Sequence, residues 1–230
     1  MKGQSVANQL IVLDMIKENS ELSSYIESAD RFIGIIGFTE HGFRHANLVS
    51  SIARNVLLRL GYPERMAELA AIAGYLHDIG NMAGRTGHTI SGAMISMNAL
   101  REMGMDPEEL AVVVNAIGAH EEEDTGGWAT SEVSAALMLA DKSDVHHTRV
   151  RNPDKVTFDI HDRVNYAAKR SFLRVDEPSR TVSLEIDIDT EISQVMEYFE
   201  IFLSRMVLCS RAAEFLNCKF SLVINNTKLL

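Results

Sequence analysis

Residues 66–76 form an apolar helical stretch that ends directly in a histidine and an aspartate, His77 and Asp78. At helical spacing, His77 continues the face that the apolar residues would bury. Imidazole and carboxylate groups are costly to bury unless something pairs with them, and a divalent metal ion is the strongest partner available. The doublet therefore predicts that this helix ends at a buried metal centre, around which the rest of the chain must fold.

Four more potential ligands punctuate the same half of the chain, and three of them are predicted to end apolar helical stripes. They are His45, His88, His120 and Asp141. Histidine binds first-row metals through one ring nitrogen, and aspartate can bridge two ions. Without His88 and His120, the set could form a one-metal site. Adding that pair would supply ligands for a second ion, with Asp78 as the bridge.

Hydrophobic periodicity predicts a mainly α chain for the first two thirds of the sequence. Helices are expected over about residues 5–28 and 40–60. Asp106 and Ser131 are predicted to cap two later helices, because their side chains can accept hydrogen bonds from the first free N–H groups. The ligands would then lie at helix ends.

The pattern changes after Pro153. Residues 182–188 alternate apolar and polar side chains, which predicts a strand, and residues 164–175 are its expected hairpin partner. A helix over about 190–216 and a last strand at 220–224 complete a three-stranded α+β element. We therefore predict a helical domain over residues 1–153 and a C-terminal α+β subdomain over residues 154–230.

Composition limits the possible partners. The formal net charge is −10 and the pI is about 5.3, whereas binding to nucleic-acid backbones requires a basic surface. No nucleic-acid polymer is expected as a partner, but a small phosphorylated substrate is compatible with this charge.

Cys209 and Cys218 show no metal-binding spacing and are predicted to be reduced thiols. No run approaches the roughly 18 apolar residues that span a bilayer, so we expect a cytoplasmic protein without a membrane partner.

The ligands occur in the order H…HD…D, with the doublet inside the sequence Leu-His-Asp-Ile-Gly. Over roughly residues 40–152, this pattern resembles the HD-domain family of metal-dependent phosphohydrolases. The resemblance implies a bundle of about five core helices around one or two divalent transition-metal ions: iron, manganese, nickel, cobalt or zinc. His88 and His120 resemble the additional histidines of two-metal members. Those members include cyclic-dinucleotide phosphodiesterases and diadenosine-polyphosphate hydrolases.

Two positions depart from the patterns of that family. Asn81 stands where many members have a lysine after the doublet. The Gly-Tyr-Pro sequence at residues 61–63 echoes the signature of cyclic-di-GMP phosphodiesterases, but it precedes the doublet instead of following it. We therefore assign no cyclic-di-GMP specificity.

The leading hypothesis is a phosphohydrolase that cleaves a phosphomonoester or phosphodiester bond of a nucleotide-like substrate by a metal-activated water. In this scheme Asp78 holds the metal. Lys142, Arg149 or Arg151 stabilises the phosphate charge, since arginine matches a phosphate by two parallel hydrogen bonds. Arg85 is a further cation near the ligands in sequence.

Two other classes of function remain open. One is a catalytically silent HD-type module that binds a nucleotide or regulates a partner. The other is an HD-type di-iron oxygenase, which uses the same set of six ligands. The C-terminal α+β element could serve as a homodimer contact.

Other polar residues near the ligands have more than one interpretation. Residues 121–124 are acidic and follow His120, so they form either a solvated loop or supply an acid to the leaving group. The histidines at 146–147 are predicted to lie at the surface, and the second His-Asp doublet at 161–162 in a loop or turn. His41, one helical turn before the first ligand, could reach a further metal ion.

Overall fold

The structure, a computed structural model, describes residues 10–121 and 126–230. Over these residues it contains nine α-helices, four β-strands and three short 3₁₀ turns. The helices are α1 (Leu13–Lys17), α2 (Ser20–Ile35), α3 (Phe43–Arg59), α4 (Glu64–Leu76), α5 (His88–Glu102), α6 (Pro107–Ala119), α7 (Glu132–Lys142), α8 (Ile160–Ala167) and α9 (Val195–Phe215). The strands are β1 (Ala168–Asp176), β2 (Thr181–Ile188), β3 (Lys219–Ile224) and β4 (Thr227–Lys228). A mainly helical protein with a small C-terminal sheet confirms the predicted fold class.

The long helix predicted over residues 5–28 is wrong, because the described part of this segment is interrupted at Asn19. The Asn19 side chain accepts hydrogen bonds from the backbone N–H groups of Glu21 and Leu22, and this cap begins α2. α2 also continues beyond the predicted end and stops before Gly37, whose φ of +91° favours glycine. The first part of the predicted helix lies outside the described residues.

Both predicted helix caps are confirmed. At the start of α6, the Asp106 side chain accepts hydrogen bonds from two backbone N–H groups, and Pro107 occupies the first helical position. At the start of α7, Ser131 and Ser134 form a reciprocal capping box. These caps determine where α6 and α7 begin, and each helix delivers one predicted ligand at its other end.

α3, α4 and α7 pack against one another at the centre of the helical bundle. Residues 67–76 of α4 are all buried, as the apolar stretch predicts. α3 and α4 approach closely at Gly74, where a Cβ atom would lie 2.9 Å from the backbone of Ser50. α5 packs against α6 and against the 3₁₀ turn at Ile79–Met82, which follows the doublet. The doublet therefore lies between the central helices and α5.

The C-terminal sheet has the strand order β1-β2-β3-β4. β1 and β2 form an antiparallel hairpin, β2 and β3 are parallel, and β3 and β4 are antiparallel. The predicted alternation in β2 is confirmed, since Val182, Leu184, Ile186 and Ile188 are buried. The sheet has four strands instead of about three because residues 225–226 turn the chain back to form β4.

α9 joins the sheet to the bundle, since it packs against both α7 and β3. Tyr198 and Phe202 of α9 belong to the same apolar cluster as Leu137 of α7 and Leu184 of β2. The core therefore continues across the predicted boundary at residue 153, and the division into two domains stays a prediction. Neither α9 nor any other helix of the described ranges is long and apolar enough to cross a membrane.

Candidate metal centre

The six predicted ligands lie together in the interior, each at one end of a helix. They are His45 at the start of α3, His77 and Asp78 after α4, His88 at the start of α5, His120 after α6 and Asp141 at the end of α7. All six are buried, with exposed fractions of at most 8%. The apolar helix faces form the core, and their ends bring the polar side chains to one point.

The potential ligand atoms are close to one another. Nε2 of His45 lies 3.2 Å from Nε2 of His77 and 3.3 Å from Oδ1 of Asp141. Nε2 of His77 lies 3.6 Å from the same Asp141 oxygen. Three overlapping triads have their ligand atoms within 4.8 Å of one another: His45, His77 and Asp78; His77, His120 and Asp141; and Asp78, His88 and His120. This mixture of imidazole nitrogens and carboxylate oxygens fits a divalent metal ion.

The other ring nitrogen of each histidine is already engaged, which fixes the orientation of all four rings. In His77, His88 and His120, Nδ1 lies 2.9, 3.0 and 2.6 Å from the backbone carbonyl oxygen three residues earlier. In His45, Nδ1 lies 2.7 Å from Oδ2 of the buried Asp144. Because these oxygens can only accept, the Nδ1 atoms donate and the Nε2 atoms are left to bind a metal.

Asp78 faces both halves of the cluster. Its Oδ2 atom lies 3.1 Å from Nε2 of His77 and 3.5 Å from Nε2 of His45, whereas Oδ1 lies 3.5 Å from Nε2 of His88. The side-chain amide of Asn81 donates to Oδ1 at 2.9 Å and to the Asp78 carbonyl oxygen at 3.0 Å. Asn81 thus orients the carboxylate by hydrogen bonds where a lysine would add a charge. The two oxygens of Asp78 point to different ligands, as a bridging role requires.

One buried nitrogen of the cluster lacks a hydrogen-bond partner among the described residues. Nε2 of His120 is fully buried and forms no hydrogen bond with any residue that the structure describes. Leaving such an atom unsatisfied costs about 1–3 kcal/mol. Burial, together with the charges of His77 and Lys142, lowers the pKa of His120 to about 3, so the ring is neutral at physiological pH. A metal ion would satisfy this nitrogen, so the residues present fit such an ion.

Two ionised aspartates and two protonated histidines lie together in the cluster, so protons would compete with a metal ion. Burial alone would raise the pKa of both aspartates, but His77 beside Asp78 and Lys142 beside Asp141 hold each pKa well below its usual range. Burial lowers the pKa of His45 and His77, yet hydrogen bonds and charges of the aspartates outweigh it and raise these pKa values to about 9 and about 10. Metal binding must displace these protons, so metal affinity rises with pH.

Glu121 connects two cations at the edge of the cluster. Its carboxylate accepts hydrogen bonds from Nη2 of Arg85 at 3.0 Å and Nζ of Lys142 at 3.2 Å. Burial raises the pKa of Glu121, but the charges of Lys142 and Arg85 outweigh it and hold this pKa well below its usual range. A carboxylate that stays ionised at neutral pH favours an electrostatic role over protonation of a leaving group. Residues 122–124 of the acidic segment lie outside the described residues.

Lys142 and Arg149, two of the predicted phosphate-binding residues, have different surroundings. Nζ of Lys142 lies 2.6 Å from Oδ2 of Asp141, so this buried lysine neutralises a potential ligand. Arg149 donates from Nη1 to the Asp144 carbonyl oxygen at 2.9 Å and from Nε to that of Glu40 at 3.2 Å. These contacts orient the Arg149 guanidinium toward a cavity beside the cluster, which it lines.

Arg151, the third predicted phosphate-binding residue, is not brought to the cluster. It forms an ion pair with Asp30 of α2, and its Nη1 would lie 3.1 Å from a Cβ atom added to Gly34. Its side chain lines a neighbouring groove together with Asn152 and Thr157. The predicted contact between Arg151 and the reacting phosphate therefore has no support in the geometry.

A cavity of about 310 Å³ opens beside the cluster, a size at the lower end of small-molecule sites. Arg85, His41 and Arg149 connect it to the cluster, since Nη1 of Arg85 lies 3.8 Å from Oδ1 of Asp78. Much of the remaining wall comes from residues beyond 153, on α8 and α9 and just before them. These are Asp159, His161, Asp162, Asn165, Phe202 and Arg205.

The second His-Asp doublet is not in a loop, so that prediction is wrong. His161 and Asp162 lie in the first turn of α8, which Asp159 caps, and both line the cavity. α8 has only eight residues, too few to show a clear helical period in the sequence. The histidines at 146–147 lie at the surface, as predicted. His41 lines the cavity and belongs to none of the three triads.

Sequence reasoning missed Arg205 and Asp144. Arg205 lies on the apolar stripe of α9 between Phe202 and Met206, and a charge within such a stripe is the signal that could have identified it. Asp144 is 2% exposed and directly orients His45. It comes three residues after Asp141, but nothing in the spacing distinguishes it from a solvated loop residue.

Comparison with known proteins identifies a family model that covers the clustered residues. Residues 40–149 match the family model of the HD domain, and this span contains all six clustered residues. The chain therefore carries an HD domain, whose family consists generally of metal-dependent phosphohydrolases. The chain is also similar to an uncharacterized protein of Methanocaldococcus jannaschii, with 23% identity over 212 residues. That alignment covers 81% of this chain and 80% of the relative, so the similarity extends beyond the HD match.

Replacing Asp144 with asparagine is expected to weaken metal binding about 10- to 100-fold, because a positioning contact is lost while every ligand remains. The Asp144 carboxylate accepts a hydrogen bond from Nδ1 of His45 and another from Nη2 of Arg44 at 2.7 Å. The asparagine amide has one accepting oxygen and no charge, so it can replace only part of these contacts. Calorimetric titration of metal-stripped protein with Mn²⁺ measures the effect. Asp187→Asn, at a half-exposed carboxylate on β2, is the control. Equal affinity in both variants would contradict the positioning role.

Proposed function

We propose that this protein is a metal-dependent phosphohydrolase that cleaves a phosphomonoester or phosphodiester bond of a nucleotide-like substrate by a metal-activated water. The observation that carries the proposal is the position of the six-residue cluster beside a cavity lined by three arginines. These are Arg85, Arg149 and Arg205. Metal ligands next to several guanidinium groups suit a substrate that carries phosphate.

His45, His77, Asp78 and Asp141 would hold one ion, and Asp78, His88 and His120 a second. A divalent ion held there would polarise a phosphoryl oxygen and lower the pKa of a water molecule. Iron, manganese, nickel, cobalt and zinc all accept such a ligand set.

The chain's own side chains would orient the substrate. Glu121 holds Arg85 by a hydrogen bond at 3.0 Å, and the Arg85 guanidinium lies 5.4 Å from the centre of the Phe38 ring. Backbone carbonyl oxygens fix Arg149 in the same way. Since neither guanidinium needs to reorganise, Arg85 can stabilise charge that develops on the reacting phosphate in the transition state, and Arg149 can bind another anionic group of the substrate. Phe38 and Phe202 add apolar surface for an organic group.

The size of the cavity and the net charge of the whole chain favour a small substrate. A cavity of about 310 Å³ accommodates a mononucleotide or a metabolite of similar size. A chain with a net charge of −10 offers little attraction to a nucleic-acid polymer. The proposed partner is therefore a small phosphorylated molecule, and the proposed cellular setting is the cytoplasm. A homodimer through the C-terminal element stays a prediction.

Phosphate release by the protein loaded with Mn²⁺ is the direct test. We expect hydrolysis of at least one member of a panel of nucleoside monophosphates, cyclic nucleotides and dinucleotides. Treatment with a chelator should abolish it, and added Mn²⁺ should restore it, because the proposed water activation depends on the ion. Tight nucleotide binding without any hydrolysis would instead indicate a catalytically silent module. Oxygen consumption by the iron-loaded protein would indicate an oxygenase.

A further inference from the structure

Arg205 is a further arginine of the cavity wall. It lies on α9, well outside the residues that match the HD domain, and its guanidinium lies 4.5 Å from the centre of the Phe202 ring. Throughout the described ranges, no residue forms a hydrogen bond or ion pair with Arg205. A guanidinium carries five N–H donors, and a partly buried one that pairs with nothing is unfavourable. The side chain therefore has all its donors available to a ligand.

Arg149 offers a second guanidinium to the same cavity. The residue is 3% exposed, and two of its nitrogens, Nη1 and Nε, donate to backbone carbonyl oxygens. Its third nitrogen, Nη2, forms no hydrogen bond with a residue of the described ranges. Burial lowers the pKa of Arg205 and the charge of Arg149 lowers it further, so the two cations are close enough to repel each other. An anion between them would relieve this repulsion.

Arg85 is in a different situation, although it lines the same cavity. Its guanidinium is held by Glu121 and lies near Asp78, so its charge is largely balanced within the cluster. Arg149 is balanced only in part, since its Nε lies 3.7 Å from Oδ2 of Asp144, a carboxylate oxygen that Arg44 and His45 also contact. Arg205 forms no ion pair with a residue of the described ranges. Asp159 and Asp162 also line it, but neither forms an ion pair with Arg149 or Arg205.

We propose that Arg149 and Arg205 bind a second anionic group of the substrate, a phosphate or a carboxylate separate from the phosphate that reacts at the metal centre. Guanidinium groups bind both anions by paired hydrogen bonds. Asp159 and Asp162 would then accept hydrogen bonds from hydroxyl or amino groups of the same molecule. The inference rests on the proposed function for the reacting phosphate, whereas the anion site itself depends only on the two arginines.

The test compares substrates that differ by one anionic group. Adenosine 5′-monophosphate and adenosine 3′,5′-bisphosphate differ by a phosphate, and glycerol 3-phosphate and 3-phosphoglycerate differ by a carboxylate. With the Mn²⁺-loaded protein we expect a higher kcat/KM for the doubly anionic member of at least one pair, and which pair it is identifies the second group. Arg205→Gln should lower kcat/KM for that member about 10- to 100-fold and that of its partner less than about twofold.

Two variants on the same helix separate the loss of the anion contact from structural damage. Arg205→Lys keeps the charge and should recover part of the preference. Arg211→Gln changes an arginine that lies over the Trp128 ring, away from the cavity, and should leave the preference intact. An equal loss for both members of a pair in Arg205→Gln would overturn the proposal, because Arg205 would then serve the reacting phosphate. So would a wild-type protein that shows no preference in either pair.

Calorimetric titration with the same four compounds keeps the two proposals apart. If none is hydrolysed, the proposed function fails for these compounds, but tighter binding of a doubly anionic member that Arg205→Gln removes would still support the anion site. If compounds are hydrolysed but the second anion changes neither binding nor kcat/KM, the proposed function stands and the anion site is overturned.

Discussion

The Asp78→Ala variant is expected to lose both metal ions and to reduce phosphate release by about 10³-fold or more. The reason is the central position of its carboxylate. Oδ2 lies within 3.5 Å of Nε2 of His45 and His77, and Oδ1 lies 3.5 Å from Nε2 of His88. Removing Asp78 therefore takes a ligand from both proposed ions. Elemental analysis of protein purified without added metal or chelator measures the metal content directly.

His88→Ala provides the matched comparison, because His88 belongs to only one of the three triads. We expect its metal content to fall from about two ions per chain to about one. His147→Ala, at an exposed histidine, should leave the content unchanged. If the wild type held only one ion per chain and His88→Ala did not change that content, the site would consist of the ligands around His45 and His77. Full metal content in Asp78→Ala would contradict the bridging role, and circular dichroism would show whether that variant folds.

The Gly80→Ala variant is expected to lower the free energy of unfolding by about 3 kcal/mol or more. Gly80 lies in the 3₁₀ turn after the doublet, where a Cβ atom would overlap the carbonyl oxygen of His88 and the amide nitrogen of Gly92. Both of those atoms are backbone, so a side-chain rotation cannot relieve the overlap. α5 would have to move away from the turn and carry His88 away from Asp78. Thermal unfolding should show a Tm roughly 6–12 °C below the wild type.

Gly118→Ala is the control for this effect. Gly118 lies within α6, and an added Cβ atom would be 3.8 Å from Cβ of Ala93, an ordinary van der Waals distance. Alanine favours the helix by about 0.5–1 kcal/mol over glycine, so this variant should be slightly more stable than the wild type. If Gly80→Ala were as stable as the wild type, the close approach of α5 to the turn would not be a packing constraint.

The cluster of potential ligands was predictable from sequence because burial and polarity conflict at these residues. His77, His120 and Asp141 follow apolar stripes, so their depth in the structure could be inferred before their contacts were known. The same reasoning could not place Arg151. Its neighbourhood depends on the direction of the chain after α7, which no periodicity records.

Arg205 shows a second limit of what the sequence alone can predict. The stripe of α9 predicts that the helix packs against something, but not that one part of it covers the sheet and another part closes the cavity. Arg205 could be recognised only once the partner of each helix turn was known. The break at Asn19 was missed for a different reason, since the apolar pattern continues across it and only a local side-chain cap interrupts the helix.

The contacts between Nδ1 and the carbonyl oxygen three residues earlier, shared by His77, His88 and His120, have a consequence for ion selectivity. A ring tethered to its own turn of backbone has already given up its rotational freedom, which otherwise costs about 0.5–1.5 kcal/mol for each side chain that an incoming ligand must immobilise. These three ligands are therefore held in place before any ion binds. Because such rings adjust little to the size of an ion, we expect the radius of the ion, as well as the chemistry of nitrogen and oxygen, to influence which metal the site prefers.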